Sequence, residues 1–179
     1  MRIELPSKLH AAASHSLRPG EGQGVAASNP HFLHAGQVFV SAKAESVVLI
    51  LGSCVAVCIW DPFNAVGGAT HYLLPTWDGR GAASPRYGNV AISALLQRLV
   101  EQGADRTQLH AKIFGGGCLF DSMRAPAANK DHLGSRNVDV AVEILAKERI
   151  PIETTNVGAH AGLRIVFQTG TGVATVSSL

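Results

Sequence analysis

Beyond a stretch of about thirty residues without periodicity, the chain is built of short apolar runs separated by small and polar residues. Gln37 to Ser41 (QVFVS) reads as a strand. Val47 to Leu51 (VVLIL) is a continuous β-branched and aliphatic run, the pattern of a strand buried on both faces. Val55 to Trp60 (VAVCIW) reads the same way, with Gly52-Ser53-Cys54 between the two runs. Asp61-Pro62-Phe63-Asn64 is a turn sequence, and Gly67 to Leu74 is a further strand ended by Pro75. Residues 76–88 form a loop. Asn89 stands where a helix N-cap would, and Ile92, Leu95, Leu96 and Leu99 follow at the spacing of one helical face, with Gly103 as the stop. Leu109 to Phe114 is strand-like and runs into Gly115-Gly116-Gly117. Ser135 or Asn137 caps a second helix to about Glu148, with Val138, Ala141, Val142 and Leu145 on its inner face. Ile150 to Thr155, Leu163 to Gln168 and Val173 to Val176 complete the strands. The expected fold is a layered α/β domain with two main helices and a mixed, largely antiparallel β-sheet. Residues 1–30, which carry Pro6, Pro19, Gly20, Gly22, Gly24 and Pro30, read as a poorly ordered tail ahead of a single domain over 31–179.

Composition narrows the function classes. A chain of 179 residues with 46% hydrophobic and 16% charged residues can bury one core without disulfides or a structural metal. The net charge of +2 and the lack of a basic stripe argue against a nucleic-acid partner. No apolar stretch is long enough to span a membrane, and His10, Ser14, His15 and Ser16 interrupt the only alanine-rich segment that could mimic a signal peptide. Three cysteines, Cys54, Cys58 and Cys118, without a secretion signal point to free thiols in the cytoplasm.

Cys54 is the residue with chemical promise. It follows two small residues at a junction between apolar strands, where main-chain N–H groups escape the sheet and can meet a substrate oxyanion. Gly52 and Ser53 support that turn. An imidazole can take the thiol proton and return it to a leaving amine. His71 is the best-placed histidine. It lies 17 residues on, across one strand and one turn, so an antiparallel return brings it beside the start of the neighbouring strand. Alternation puts Ala69, His71 and Leu73 on one face and Thr70 and Tyr72 on the other. Spacing alone leaves the plain alternatives open, because a buried cysteine is usually an inert small hydrophobe and a histidine in an apolar run is usually a hydrogen-bonded core residue. Cys58, mid-strand between Val57 and Ile59, fits the inert description.

The other signals are weaker. The triple glycine lacks a GK[ST] ending and suits close packing of backbone better than phosphate binding. No CxxC or HExxH occurs, so neither metal nor cofactor is expected, and His31 and His34 read as surface residues. Ser53 and Ser84 lack a GxSxG context. Arg86-Tyr87-Gly88 reads as a loop anchor or a substrate contact, and Gly134-Ser135-Arg136-Asn137 as a turn and helix cap. A redox pair of Cys54 and Cys58 is disfavoured, because thiols four apart on an extended strand are too distant for an easy disulfide.

The stretch Leu51-Gly52-Ser53-Cys54-Val55-Ala56-Val57-Cys58, followed by Gly67-Gly68-Ala69-Thr70-His71-Tyr72-Leu73-Leu74-Pro75, resembles the chemoreceptor glutamine deamidase family, CheD. His34 to Val40, Arg86-Tyr87-Gly88, Ala111 to Gly117, Gly134 to Asn137 and Thr169 to Gly172 agree in the same order. The resemblance covers about residues 31–179. It implies an α/β layered sandwich and an enzyme that converts particular receptor glutamines to glutamates during chemotactic adaptation. By that resemblance Cys54 is the nucleophile and His71 its base, the cytoplasmic region of the receptors is the substrate, and a CheC-type phosphatase is a partner. A non-catalytic module that regulates such a phosphatase is the alternative. The family commonly has a threonine a few residues before the cysteine, whose hydroxyl helps orient the histidine. Here Val47 to Leu51 carries no hydroxyl, which leaves Ser46, eight residues upstream, or a backbone carbonyl to hold the ring. Gly158-Ala159-His160-Ala161-Gly162 stands where a glycine-glycine turn is typical, so the resemblance assigns no role to His160.

Overall fold

The structure is a computed structural model that describes residues 29–118 and 132–179. Residues 1–28 of the expected tail lie outside the described residues. Among the described residues, nine strands and two α-helices follow in the order β1 (His31–Phe32), β2 (Gln37–Ser41), β3 (Ser46–Leu51), β4 (Val55–Asp61), β5 (Val66–Tyr72), α1 (Gly88–Glu101), β6 (His110–Gly115), α2 (Leu133–Lys147), β7 (Ile152–Val157), β8 (Leu163–Gln168) and β9 (Ala174–Ser178). The strands divide into two sheets, β2-β5-β4-β6-β7 and β1-β3-β8-β9. Pairing is antiparallel except for β1 with β3 and β6 with β7. The parallel β6–β7 pair is bridged by α2, as a parallel connection requires. This is the expected layered α/β sandwich with two main helices.

Both faces of the five-stranded sheet are covered, and β4 at its centre shows the consequence. All seven of its residues are buried. Val55, Val57 and Ile59 pack toward α1 and α2 with Tyr72, Leu95, Leu99, Ala141 and Leu145. Ala56, Cys58 and Trp60 pack toward the four-stranded sheet with Leu49, Leu51, Phe114, Ile165 and Phe167. A run with no polar alternation is what a strand between two apolar layers requires. At Gly67 of β5 a Cβ would lie 2.1 Å from the Thr169 carbonyl oxygen, so the second sheet approaches β5 more closely than any side chain allows.

Several elements differ from expectation. The outer face of β3 is covered only in part: Val48 is buried but Ile50 is half exposed, although its run is continuously apolar. β1 is a two-residue strand with no sequence signature. The N-cap of α1 is Tyr87, without a side-chain bond; the Asn89 side chain instead accepts from Trp77 N at 2.9 Å. α2 begins at Leu133, and the His132 ring nitrogen accepts from Ser135 N, so neither Ser135 nor Asn137 is the cap. Val142 is exposed, because the buried stripe of α2 runs Gly134, Asn137, Ala141 and Leu145. The last turn of each helix closes as anticipated for α1, with Gly103 at φ 95°. Gly103 N and Ala104 N return to Val100 O and Leu99 O, which satisfies carbonyls the helix leaves open.

Candidate active site

The β3–β4 junction, Gly52-Ser53-Cys54, sits at one end of the five-stranded sheet and is half-buried. All three of its carbonyls are engaged. Gly117 N donates to Gly52 O at 2.8 Å, and Gly116 N donates to Cys54 O at 2.8 Å. The Asn137 side-chain Nδ2 donates to Ser53 O at 3.3 Å and to Leu73 O at 2.9 Å. The glycines following β6 make this possible. Gly115 lies at φ 99°, and a Cβ on it would fall 2.2 Å from the Cys54 oxygen. The triple glycine is therefore a backbone-to-backbone contact beside Cys54, and Cys118 behind it is buried.

His71 lies on β5. Antiparallel register opposes it to Ala56 of β4, and Val55 to Tyr72. Opposed residues share a sheet face, so His71 points with Ala56 into the space between the sheets while Tyr72 points toward the helices. Cys54 stands two residues before Ala56, one step ahead of β4, where strand alternation continued into the junction would put it on the same face as His71.

The ring is held by main chain. His71 Nδ1 lies 3.2 Å from Leu33 O. A carbonyl only accepts, so Nδ1 carries the proton and Nε2 is the basic nitrogen. Nε2 is buried and has no hydrogen-bond partner. Burial pulls the imidazole below the usual histidine range; the bond to Leu33 O opposes this, and the charge of nearby His34 adds to it. Burial likewise pushes the Cys54 thiol up, opposed in part by its own main-chain N–H. Both shifts favour the uncharged forms, a neutral thiol and a neutral imidazole, and no hydrogen bond from His71 Nε2 joins the two.

Ser46 is not part of this arrangement. The inner face of β3 carries Val47, Leu49 and Leu51, so Ser46 lies on the outer face, where its hydroxyl and the Gln168 side chain exchange hydrogen bonds at 3.1 and 2.9 Å. Cys58 is fully buried, its pKa raised by loss of solvent, and remains a thiol. Arg86-Tyr87-Gly88 anchors by main chain: Leu73 N and Leu74 N both donate to Arg86 O at 3.0 Å, and Gly88 N donates to Leu74 O at 2.8 Å. His31 and His34 are exposed, as expected, yet His34 lines a small pocket with Phe32, Leu33, Val48, Ile50 and His71. His160 is exposed and lines a separate cleft with His132, Ser135 and Asp139. No cluster of three or more metal-ligating side chains occurs among the described residues.

Sequence reasoning passed over Leu33 and the packing role of Asn137. A carbonyl acceptor leaves no side-chain signature. Asn137 did leave one: it shares the i, i+4, i+8 stripe with Ala141 and Leu145, and a polar residue on a buried stripe needs partners.

A family model described as "CheD chemotactic sensory transduction" matches residues 73–178. The "Probable chemoreceptor glutamine deamidase CheD" of Trichlorobacter lovleyi is 38% identical over 143 residues, covering 80% of this chain and 86% of its own. The "Probable chemoreceptor glutamine deamidase CheD 1" of Anaeromyxobacter dehalogenans is 39% identical over 160 residues, covering 89% of this chain and 91% of its own. The family-model match begins just past His71, whereas alignments of these lengths necessarily take in both Cys54 and His71. Among solved structures, the hypothetical protein YfiH of Bacillus licheniformis is similar at a TM-score of 0.44 and 14% identity, covering 68% of this chain and 50% of its own. That likeness is too loose to carry an argument.

Proposed function

This chain belongs to the CheD family, and from that premise we propose that it is a protein-glutamine glutaminase that deamidates glutamine side chains in the cytoplasmic region of chemoreceptors. Residues 31–179 are the unit that carries the activity. Cys54 is the nucleophile and His71 the base. The thiol proton passes to His71 Nε2 as sulfur attacks the carboxamide carbon. The oxyanion that forms is met by main-chain N–H groups of the Gly52-Ser53-Cys54 junction. The imidazolium returns its proton to the departing nitrogen, and ammonia leaves. Nε2 then takes a proton from water, which attacks the thioester and releases glutamate and the free thiol. The reading needs no metal or cofactor.

The observation that carries the reading is the β4–β5 register. It opposes His71 to Ala56, two residues beyond Cys54, while Leu33 O commits Nδ1 and leaves Nε2 as the base. The test is to incubate the full chain with receptor cytoplasmic fragments, weigh the peptides and assay ammonia. Each converted glutamine gains about one mass unit, the consequence of exchanging an amide for an acid. Cys54→Ala should abolish the gain, a loss of about 10³-fold or more. Equal modification by wild type and Cys54→Ala would remove Cys54 from its role. A CheC-type phosphatase is the partner that the family resemblance implies, and its association should survive Cys54→Ala. Association without any ammonia release by wild type would favour a regulatory binding module instead.

A further inference from the structure

The three carbonyls of the junction have different partners, and that difference has a chemical consequence. Two are held by main-chain N–H groups of the glycine run after β6, and the middle one, Ser53 O, is held by a side chain from α2. In a trans peptide the C=O and N–H point in opposite directions within one plane. Whatever fixes the Ser53 carbonyl therefore fixes the Cys54 N–H. α2 lies on the helix-facing side of the five-stranded sheet, where Ala141 and Leu145 pack with Val55, Val57 and Tyr72. A Ser53 carbonyl drawn toward α2 sends the Cys54 N–H the other way, toward the face between the sheets where His71 points.

We propose that Asn137 is a positioning residue for the reaction: by holding Ser53 O, it aims the Cys54 N–H at the carbonyl oxygen of the glutamine side chain under attack. The proposal rests on the reading of Cys54 as nucleophile. Three observations support it. Asn137 is wholly buried, one turn into a 15-residue helix, where an apolar residue would otherwise serve. Its Nδ2 spends both hydrogens on main-chain carbonyls that flank the site, Ser53 O beside the thiol and Leu73 O two residues past His71. Its own main-chain oxygen accepts the Tyr72 hydroxyl at 2.7 Å, so the residue adjoining His71 fixes the height of α2 against the sheet.

The idea separates acyl chemistry from thiol chemistry. Deamidation passes through an oxyanion, whereas alkylation of the thiol by iodoacetamide does not. In the full chain, Asn137→Ala should lower kcat on receptor fragments by about 10²–10³-fold with KM within about threefold, the range for losing one oxyanion donor. The rate of Cys54 alkylation by iodoacetamide, and its pH profile, should match wild type. A folded Asn137→Ala with wild-type kcat would overturn the proposal, and so would kcat and alkylation falling together, because that is the signature of general disorder. If circular dichroism shows that Asn137→Ala does not fold, Asn137→Ser and Tyr72→Phe take its place and are judged by the same split between kcat and alkylation. Deamidation by Cys54→Ala would refute the nucleophile reading itself. An inactive Cys54→Ala beside a fully active Asn137→Ala would refute only the role of Asn137.

Discussion

At Cys54, half-burial raises the thiol pKa, and only the residue's own N–H works against it. At His71, burial and the charge of His34 lower the imidazole pKa against the bond to Leu33 O. Both shifts favour the uncharged forms. The base is therefore ready at a lower pH than an ordinary histidine, since a general base acts in its unprotonated form. The acid limb of kcat/KM should have its midpoint below about 6.5, the ordinary histidine value. His34→Gln should move that midpoint upward by removing a positive neighbour. A midpoint above the ordinary value, or one that His34→Gln lowers, would show that another group governs the limb. At this scale the sequence was informative about side chains and silent about main chain. Type and spacing made Cys54 and His71 candidates, and the family resemblance singled them out. The acceptor for Nδ1 could not, because Leu33 contributes only its carbonyl, and its chain position 38 residues before His71 says nothing about contact.

Among the elements, the end of β6 is tightly constrained. Gly115 combines positive φ with an approach to the Cys54 oxygen that excludes any Cβ, so a substitution there must move either the junction or the β6 terminus. Gly115→Ala should leave a folded protein whose deamidation rate falls by about tenfold or more, since small displacements of reacting groups are costly. Rates measured on receptor fragments, corrected for the folded fraction, check this. Unchanged turnover would mean that the junction tolerates the shift. Apolar periodicity had located β2, β4, β8 and the inner face of α1, where burial follows the repeat directly. It misjudged the start of α2, because His132 caps through a ring nitrogen that competes with the usual hydroxyl and carboxamide caps. It also placed Val142 inward, because the stripe that is buried turns on the polar Asn137.

For the whole molecule, two buried groups, Asp61 and His71, link stability to acid. Asp61, at the far end of the β4–β5 hairpin from His71, is buried. Burial alone would raise its carboxyl, but bonds from Asn64 Nδ2 at 2.7 Å, Asp105 N at 2.8 Å, Asn64 N at 3.1 Å and Phe63 N at 2.8 Å outweigh that and hold it below the usual carboxylate range. Both Asp61 and His71 have folded pKa values below their unfolded ones. Across each interval the unfolded chain binds more protons, so stability falls as pH falls. The expected profile, read by urea denaturation, loses stability first below about pH 6.5 and again below about pH 3.9. Asp61→Ala should cost about 1–3 kcal/mol at neutral pH by leaving its main-chain donors unmet, and should flatten the lower step. A lower step that persists unchanged in Asp61→Ala would assign it to other carboxylates.

Local order in the sequence determined much of this protein: which runs form most of the strands, where the main turns fall, and that Cys54 leads into one strand of a hairpin whose other strand carries His71. Those features depend on residues a short distance apart, whose periodicity and turn chemistry act before any long-range contact forms. Only the tertiary structure decided that the strands divide into two sheets, with His71 directed into the space between them. Only it brought Leu33 O to the ring and Asn137 to the Ser53 carbonyl. In each contact the acceptor is a main-chain carbonyl far along the chain, a group that every residue shares, so the sequence does not record which segment receives the bond. The orientation of His71, which the sequence left to Ser46 or to a backbone carbonyl, is set by packing that puts Ser46 on the outer face of one sheet and Leu33 in the core beside the ring.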